Sequence, residues 1–141
     1  MTVTNDADAF APVPSPDSAF YWEGLREGKL IILHCTSCSR YIFPPMPGCP
    51  HCSAGPEKIE RVEVSGEGTV YSWIVAHYAF DPAFASEVPY TILTVDLVEG
   101  ARINGRLTGA TGDAVQPGML VRAEFQDRGD FTMLCFSPVE A

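Results

Sequence analysis

Hydrophobic and polar positions change their period twice along the chain. Residues 1–14 carry Asp6, Asp8 and two prolines, hold little worth burying, and are expected to form a disordered tail. Ser15-Pro16-Asp17 then reads as a helix start, with Ser15 as N-cap and Pro16 in the first helical position. A helix through about Arg26 follows, and Gly28 is positioned to stop it. It carries Phe20, Tyr21, Trp22 and Leu25. Successive helical side chains point about 100° apart, so three consecutive aromatics wrap more than half the circumference. One face packs on its own chain; the remainder is expected either to stay exposed or to form part of a partner interface. Residues 29–34 form an apolar strand that delivers Cys35, and residues 41–43 its hairpin partner. Pro44-Pro45 and Pro47-Gly48 then turn the chain.

From Ile59 the pattern changes to period two. Val62 and Val64 alternate with Arg61 and Glu63, Gly66-Glu67-Gly68 marks a break or bulge, and an apolar run continues through 69–78. Residues 82–89 read as a loop. Residues 90–97 form the next strand, 101–107 return after Glu99-Gly100, 119–126 alternate again, and Arg128-Gly129-Asp130 turns into 131–136. Five strands joined by short turns, the first long and bent by glycine, predict a small barrel of the OB type, with a five-stranded meander as the alternative. Val62, Val64, Leu93, Val95, Val121 and Phe125 are expected to point inward. The predicted fold is mainly β: a disordered tail at 1–14, a helix plus metal ribbon at 15–58, and a five-stranded OB-type barrel at 59–141.

The metal ribbon is inferred from Cys35-Thr36-Ser37-Cys38 and Cys49-Pro50-His51-Cys52. A C-x-x-C knuckle places two thiolates on one ion, and two facing knuckles complete a tetrahedral four-sulfur site with no open position for substrate. A structural role follows. Disulfides suit exported chains, whereas residues 1–9 lack the basic and apolar segments of a signal peptide. A cytoplasmic location is therefore expected. One zinc per chain is favoured over iron, because an iron-carrying rubredoxin is much shorter and would leave most of these residues without a purpose. His34 and His51 flank the ligands as solvated loop residues. Cys135 lies in an apolar strand and reads as a small core residue.

Size and charge narrow the field. At 141 residues the chain supports one domain, or one core plus a small metal module. No apolar run approaches the ~20 residues that span a bilayer. A formal charge of −9 argues against a general nucleic-acid binder, which needs a basic face. No phosphate loop, nucleophile elbow or paired metal-ligand histidines appear.

The order of parts is more specific than any one part. Phe20-Tyr21-Trp22-Glu23-Gly24-Leu25 precedes Cys35-x-x-Cys38, Phe43-Pro44-Pro45 and Cys49-Pro50-x-Cys52. Gly66-x-Gly68-Thr69-Val70-Tyr71-Ser72, Pro89-Tyr90, Pro117-Gly118-Met119 and Phe136-Ser137-Pro138 follow. Over about residues 16–139 this resembles the OB-fold acyl-CoA-associated family with an N-terminal rubredoxin-like zinc ribbon. The resemblance implies an accessory subunit, not catalytic alone, that supports a thiolase-fold aldolase or acyltransferase or a hotdog-fold enoyl-CoA hydratase. The resemblance further implies a place in sterol or lipid side-chain degradation, with acyl-CoA expected near the interface. With no hydratase segment in the sequence, the partner is expected to be a separate polypeptide. The resemblance transfers no catalytic residue; Phe20, Tyr21 and Trp22 are the candidate partner interface. Two alternatives stay open. One is a single-stranded nucleic-acid binder stacking bases on Tyr71, Trp73 and Tyr78; the other is an iron electron carrier.

Overall fold

A computed structural model describes residues 11–139; the tail expected at 1–14 lies mostly outside the described residues. The helix α1, Ala19–Arg26, begins later than the Ser15 cap implied. Residues 16–18 form a hydrogen-bonded turn instead. The Ser15 carbonyl accepts the N–H groups of Ser18 and Ala19, and the Ser15 and Ser18 side chains bond reciprocally to each other's backbone N–H. At the other end Gly28 takes φ +75°. The Lys29 N–H then reaches the Gly24 carbonyl at 2.8 Å and the Gly28 N–H the Leu25 carbonyl at 3.0 Å, closing the helix in a Schellman motif.

Three strands follow in one sheet: β1 (Leu30–Cys35), β2 (Tyr41–Ile42) and β3 (Ile59–Val64), in the order β2-β1-β3 with both pairings antiparallel. The remaining strands are β4 (Glu67–Ala76), β5 (Tyr90–Leu97), β6 (Arg102–Leu107), β7 (Leu120–Asp127) and β8 (Thr132–Pro138). They close a barrel in the order β4-β5-β6-β8-β7. Only the β6–β8 contact is parallel among these pairs, which is the Greek-key arrangement of an OB barrel. The meander alternative is thereby excluded.

One strand assignment needs correction. Residues 59–64 do not begin the barrel: β3 pairs along its whole length with β1, from Leu30↔Val64 to Cys35↔Ile59. The cause is local. Gly66 adopts φ +78°, and a Cβ there would lie 2.7 Å from the Cβ of Ala123. The chain turns sharply at a residue that must be glycine, so period two continues across two different sheets. Val64 is buried and Val62 half-buried under the ribbon sheet, and the barrel core is built by Leu93, Val95, Val121, Leu134 and Phe136. Phe125 is half-buried at the barrel margin, not fully inward.

α1 is wedged between ribbon and barrel, which accounts for its three aromatics. The Arg61 guanidinium of β3 sits 4.6 Å from the Phe20 ring centroid, Tyr21 meets Phe43 at 5.5 Å, and Trp22 meets Phe131 at 6.3 Å. Two flanks of the helix are covered rather than one. Phe20 and Tyr21 are each only 8% exposed, so they are core residues; Trp22 alone of the three keeps substantial accessible surface. Among the described residues no helix is long and apolar enough to cross a membrane.

Candidate functional site

The two cysteine knuckles are built alike. In the first, the Cys35 N–H donates to the Arg40 carbonyl and the Ser39 N–H to the Cys35 carbonyl, both at 2.9 Å. In the second, the Cys49 N–H donates to the Ala54 carbonyl at 2.9 Å and the Ser53 N–H to the Cys49 carbonyl at 3.0 Å. Ser39 and Ser53 occupy the same position in each and share φ 63°, a left-handed conformation that a serine adopts at some cost. That cost is tolerated where it turns both thiols of a knuckle inward.

The four sulfurs lie within 4.8 Å of one another, and Cys35–Cys52 and Cys38–Cys49 are both 3.7 Å apart. A zinc–sulfur distance of about 2.3 Å requires tetrahedron edges of about 3.8 Å, so the donor set fits a tetrathiolate ion without rearrangement. Burial alone would raise the Cys49 thiol, but the backbone N–H groups of Cys52 and His51 outweigh it and bring it down to about 7. Cys38 moves the other way: its hydrogen bond with the Arg40 backbone lowers it, but burial and the neighbouring thiols outweigh this and raise it to about 11, so the shifts belong to the pair and give no net bias toward thiolate. No other group of three or more potential ligands converges among the described residues. His34 is engaged elsewhere: its Nδ1 lies 2.8 Å from Glu60 Oε1 and its ring packs on Tyr41. The His51 side chain is not part of the ligand group. Cys35, Cys38, Cys49 and Cys52 therefore form one closed structural zinc site.

A second feature lies on the barrel. A cleft of 540 Å³ opens between α1 (Trp22), the connection after β4 (Phe84, Glu87), the outer faces of β5 and β6 (Ile92, Arg106) and the β7–β8 turn (Arg128). The second and third strands of an OB barrel, with the connections flanking them, form the face that such folds commonly offer to ligands. Glu87 bridges two guanidiniums here. Arg106 Nη1 lies 2.6 Å from Glu87 Oε1, and Arg128 Nη2 lies 2.9 Å from Glu87 Oε2. Arg106 also stacks on Tyr90 at 4.1 Å. Burial would raise the Glu87 carboxyl, but the hydrogen bonds and charges of both arginines outweigh it and hold it below the usual carboxylate value. Burial pushes the Tyr21 phenol up, well above the ordinary tyrosine value.

No sequence signal points to this cluster. Glu87, Arg106 and Arg128 lie in what reads as a loop, a strand and a turn, the two arginines 19 and 41 positions beyond Glu87. The residues weighed for base stacking do not form one platform. Tyr71 lies under the Arg102 guanidinium at 3.6 Å, Trp73 packs against the core, and Tyr78 pairs with Phe80. Cys135 is fully buried and its thiol is pushed up by burial, so it behaves as core.

Comparison with known proteins also finds a zinc ribbon followed by an OB fold, although the OB match begins inside β3. Residues 22–57 match the rubredoxin-like zinc ribbon domain of ChsH2, and residues 61–126 its C-terminal OB-fold domain. A probable enoyl-CoA hydratase alpha subunit from Thermomonospora curvata is 38% identical over 90% of this chain and 39% of its own length. The 3-oxo-4,17-pregnadiene-20-carboxyl-CoA hydratase alpha subunit of Mycobacterium tuberculosis is 37% identical over 96% of this chain and 42% of its own length. The chain thus spans about two fifths of each of these relatives. A DUF35 domain-containing scaffold protein from Methanocaldococcus jannaschii is 33% identical over 84% of this chain and 89% of its own length. A solved chain described as Ltp2-ChsH2(DUF35) aldolase superposes with a TM-score of 0.79 at 37% identity, covering 91% of this chain and 98% of that one.

Proposed function

The chain belongs to the ChsH2/DUF35 family of rubredoxin-like zinc ribbons joined to OB folds, and from that premise we propose that it is a non-catalytic accessory subunit of an acyl-CoA enzyme. The supporting observation is the likeness over nearly the whole of both chains to the solved chain described as Ltp2-ChsH2(DUF35) aldolase. The partner is a thiolase-fold aldolase or acyltransferase, or a hotdog-fold enoyl-CoA hydratase, and it supplies the catalytic groups. The Mycobacterium tuberculosis relative is described as a hydratase of a pregnadiene carboxyl-CoA, which favours sterol or lipid side-chain chemistry.

The physical reading agrees. The zinc has four protein ligands and so offers no position at which to polarise a thioester or activate water. What this chain contributes is shape: a closed barrel, a ribbon folded around metal, and a helix locked between them. It binds the partner and completes or steadies the partner's acyl-CoA entrance.

The test is affinity isolation of the tagged protein from its native organism, with identification and assay of what it retains. The expected result is an acyl-CoA hydratase, aldolase or acyltransferase whose activity or thermal stability rises when this chain is added, and no turnover by this chain alone. Turnover of an acyl-CoA by the isolated chain, abolished by one side-chain change, would overturn the proposal, as would the absence of any acyl-CoA enzyme from the retained fraction.

A further inference from the structure

The accessory-subunit reading leaves open which surface meets the partner, and the barrel's outer face bears on that question. Leu93 and Val95 point into the barrel, so Ile92 and Thr94 point out of it. Register carries the outward set across three strands. Ile74 of β4 lies opposite Ile92 of β5, which lies opposite Arg106 of β6. One end of this face is polar and self-satisfied: Thr94 donates to Asn104, and Asp96 pairs with Arg102, which covers Tyr71. The other end is apolar and open. Ile74 is 62% exposed, and the chain leaving β4 beyond the Ala76↔Tyr90 pair carries Tyr78 and Phe80, 69% and 94% exposed. The cleft with Trp22 and Arg106 adjoins that apolar end through Ile92.

Charge decides what fits. Two guanidiniums share one carboxylate, which leaves one positive charge in a cleft whose Arg106, Arg128 and Glu87 side chains are only 15%, 27% and 21% exposed. Each guanidinium carries five N–H donors, more than Glu87 can accept, so an incoming carboxylate gains charge-assisted bonds. The chain as a whole carries −9, which makes this cationic spot in an apolar setting the more distinctive. A small ligand confined to the cleft would leave Ile74, Tyr78 and Phe80 in water. A polypeptide lying across the sheet covers both. An oligonucleotide would bring several phosphates to a site with a single excess charge.

We propose that the partner enzyme docks on this face by laying an apolar segment over Ile74 and Phe80 and inserting a carboxylate side chain toward Arg106 and Arg128. The inference rests on the accessory-subunit reading and assigns its interface to the β4–β5–β6 face and the α1 cleft. Trp22 belongs to that interface through the cleft, whose wall the mostly buried Tyr21 shares; Phe20 supports it from the core.

The experiment measures calorimetric binding of the acyl-CoA enzyme recovered by affinity isolation to the wild-type chain and to Ile74→Glu, Phe80→Glu, Arg128→Gln and a ribbon control, Glu57→Lys. Zinc content and thermal unfolding are recorded for each. Buried aromatics and arginines dominate interfaces of this kind, so the first three should bind roughly tenfold or more weakly, while the control binds as wild type. Binding should weaken with salt in the wild type and less so in Arg128→Gln. Ile74 and Phe80 are exposed, so these two variants remain folded even if Arg128→Gln does not. Undiminished binding by Ile74→Glu and Phe80→Glu would overturn the inference and leave the accessory role standing. Failure of the wild type to retain any acyl-CoA enzyme would overturn both. A fluorescein-labelled oligothymidine bound in a salt-dependent manner, and lost in Ile74→Glu, would assign the face to nucleic acid instead.

Discussion

Replacing Gly105 by Ala tests the packing beneath the cleft. Gly105 lies on β6 opposite Leu93, facing inward, and a Cβ built on it falls 2.5 Å and 2.6 Å from two carbons of the Phe136 ring. Ordinary carbon–carbon contact begins near 3.5 Å, so the methyl intrudes by about 1 Å. Phe136 is completely buried and cannot swing into water. The Ala variant should therefore lose roughly 1–3 kcal/mol, the range for overpacking a filled core. Phe136→Leu removes ring volume from the same spot and should cost a comparable amount through lost burial and a residual cavity. The two errors have opposite sign in volume. Combined, the Ala methyl partly fills the space the ring has left, and the double variant should be more stable than the sum of the single losses by roughly 1 kcal/mol or more. Urea unfolding of all four proteins, fitted with equal m values, gives the coupling directly. Additive losses within ~0.3 kcal/mol would refute the claim that Gly105 is small because Phe136 needs the room.

The Glu87 bridge should make stability depend on pH. Its folded carboxyl titrates below the ordinary value, so its contribution is present above the unfolded value of about 4.3 and disappears as pH falls through the folded one. The stability difference between wild type and Glu87→Gln, followed by thermal unfolding from pH 7 to pH 3, should therefore shrink below about pH 4; a constant difference would mean that the bridge carries no linkage. The purified protein should hold one zinc per chain by elemental analysis, and Cys38→Ser should release it and unfold the ribbon, because three sulfurs do not close the tetrahedron. Iron as the native metal, visible as colour, would contradict this assignment.

The parts legible in the sequence are those whose signal is local. Each C-x-x-C knuckle is specified by four adjacent residues, and its ligands appear where the spacing put them. Alternation along 90–97 gave the correct inward set because one strand's two faces differ within a few residues. Period two does not say which neighbour a strand pairs with, so the alternation over 59–64 reads as barrel although these residues pair with β1, and the chain leaves the ribbon sheet only after them, at Gly66. The aromatic helix misled for a related reason. Counting directions around a helix assumes a single covered flank, whereas α1 is covered on two, and Phe20 and Tyr21 vanish into the core. The Glu87–Arg106–Arg128 cluster depends on barrel closure and on the fold of the 82–89 connection, so no window of sequence contains it.

The zinc site and the cleft are remote from each other in chemistry but joined through α1. An eight-residue helix is too short to be stable alone, so α1 exists only where something holds it. On one side the holder is the ribbon: Tyr21 packs on Phe43, just beyond β2, in a segment of fewer than ~40 residues whose own core is too small to fold without a metal. On the other side it is the barrel: Trp22 packs on Phe131, and Arg26 Nη2 donates to the Asp130 carbonyl at 3.2 Å. The wall of the cleft that Tyr21 and Trp22 provide is thus set by the metal as much as by the barrel. A closed tetrathiolate ion suits that task, because it offers rigidity with no vacant position at which competing chemistry could begin. In the proposed docking the surface gains affinity by being fixed beforehand, because the ribbon that holds α1 is itself folded around the metal.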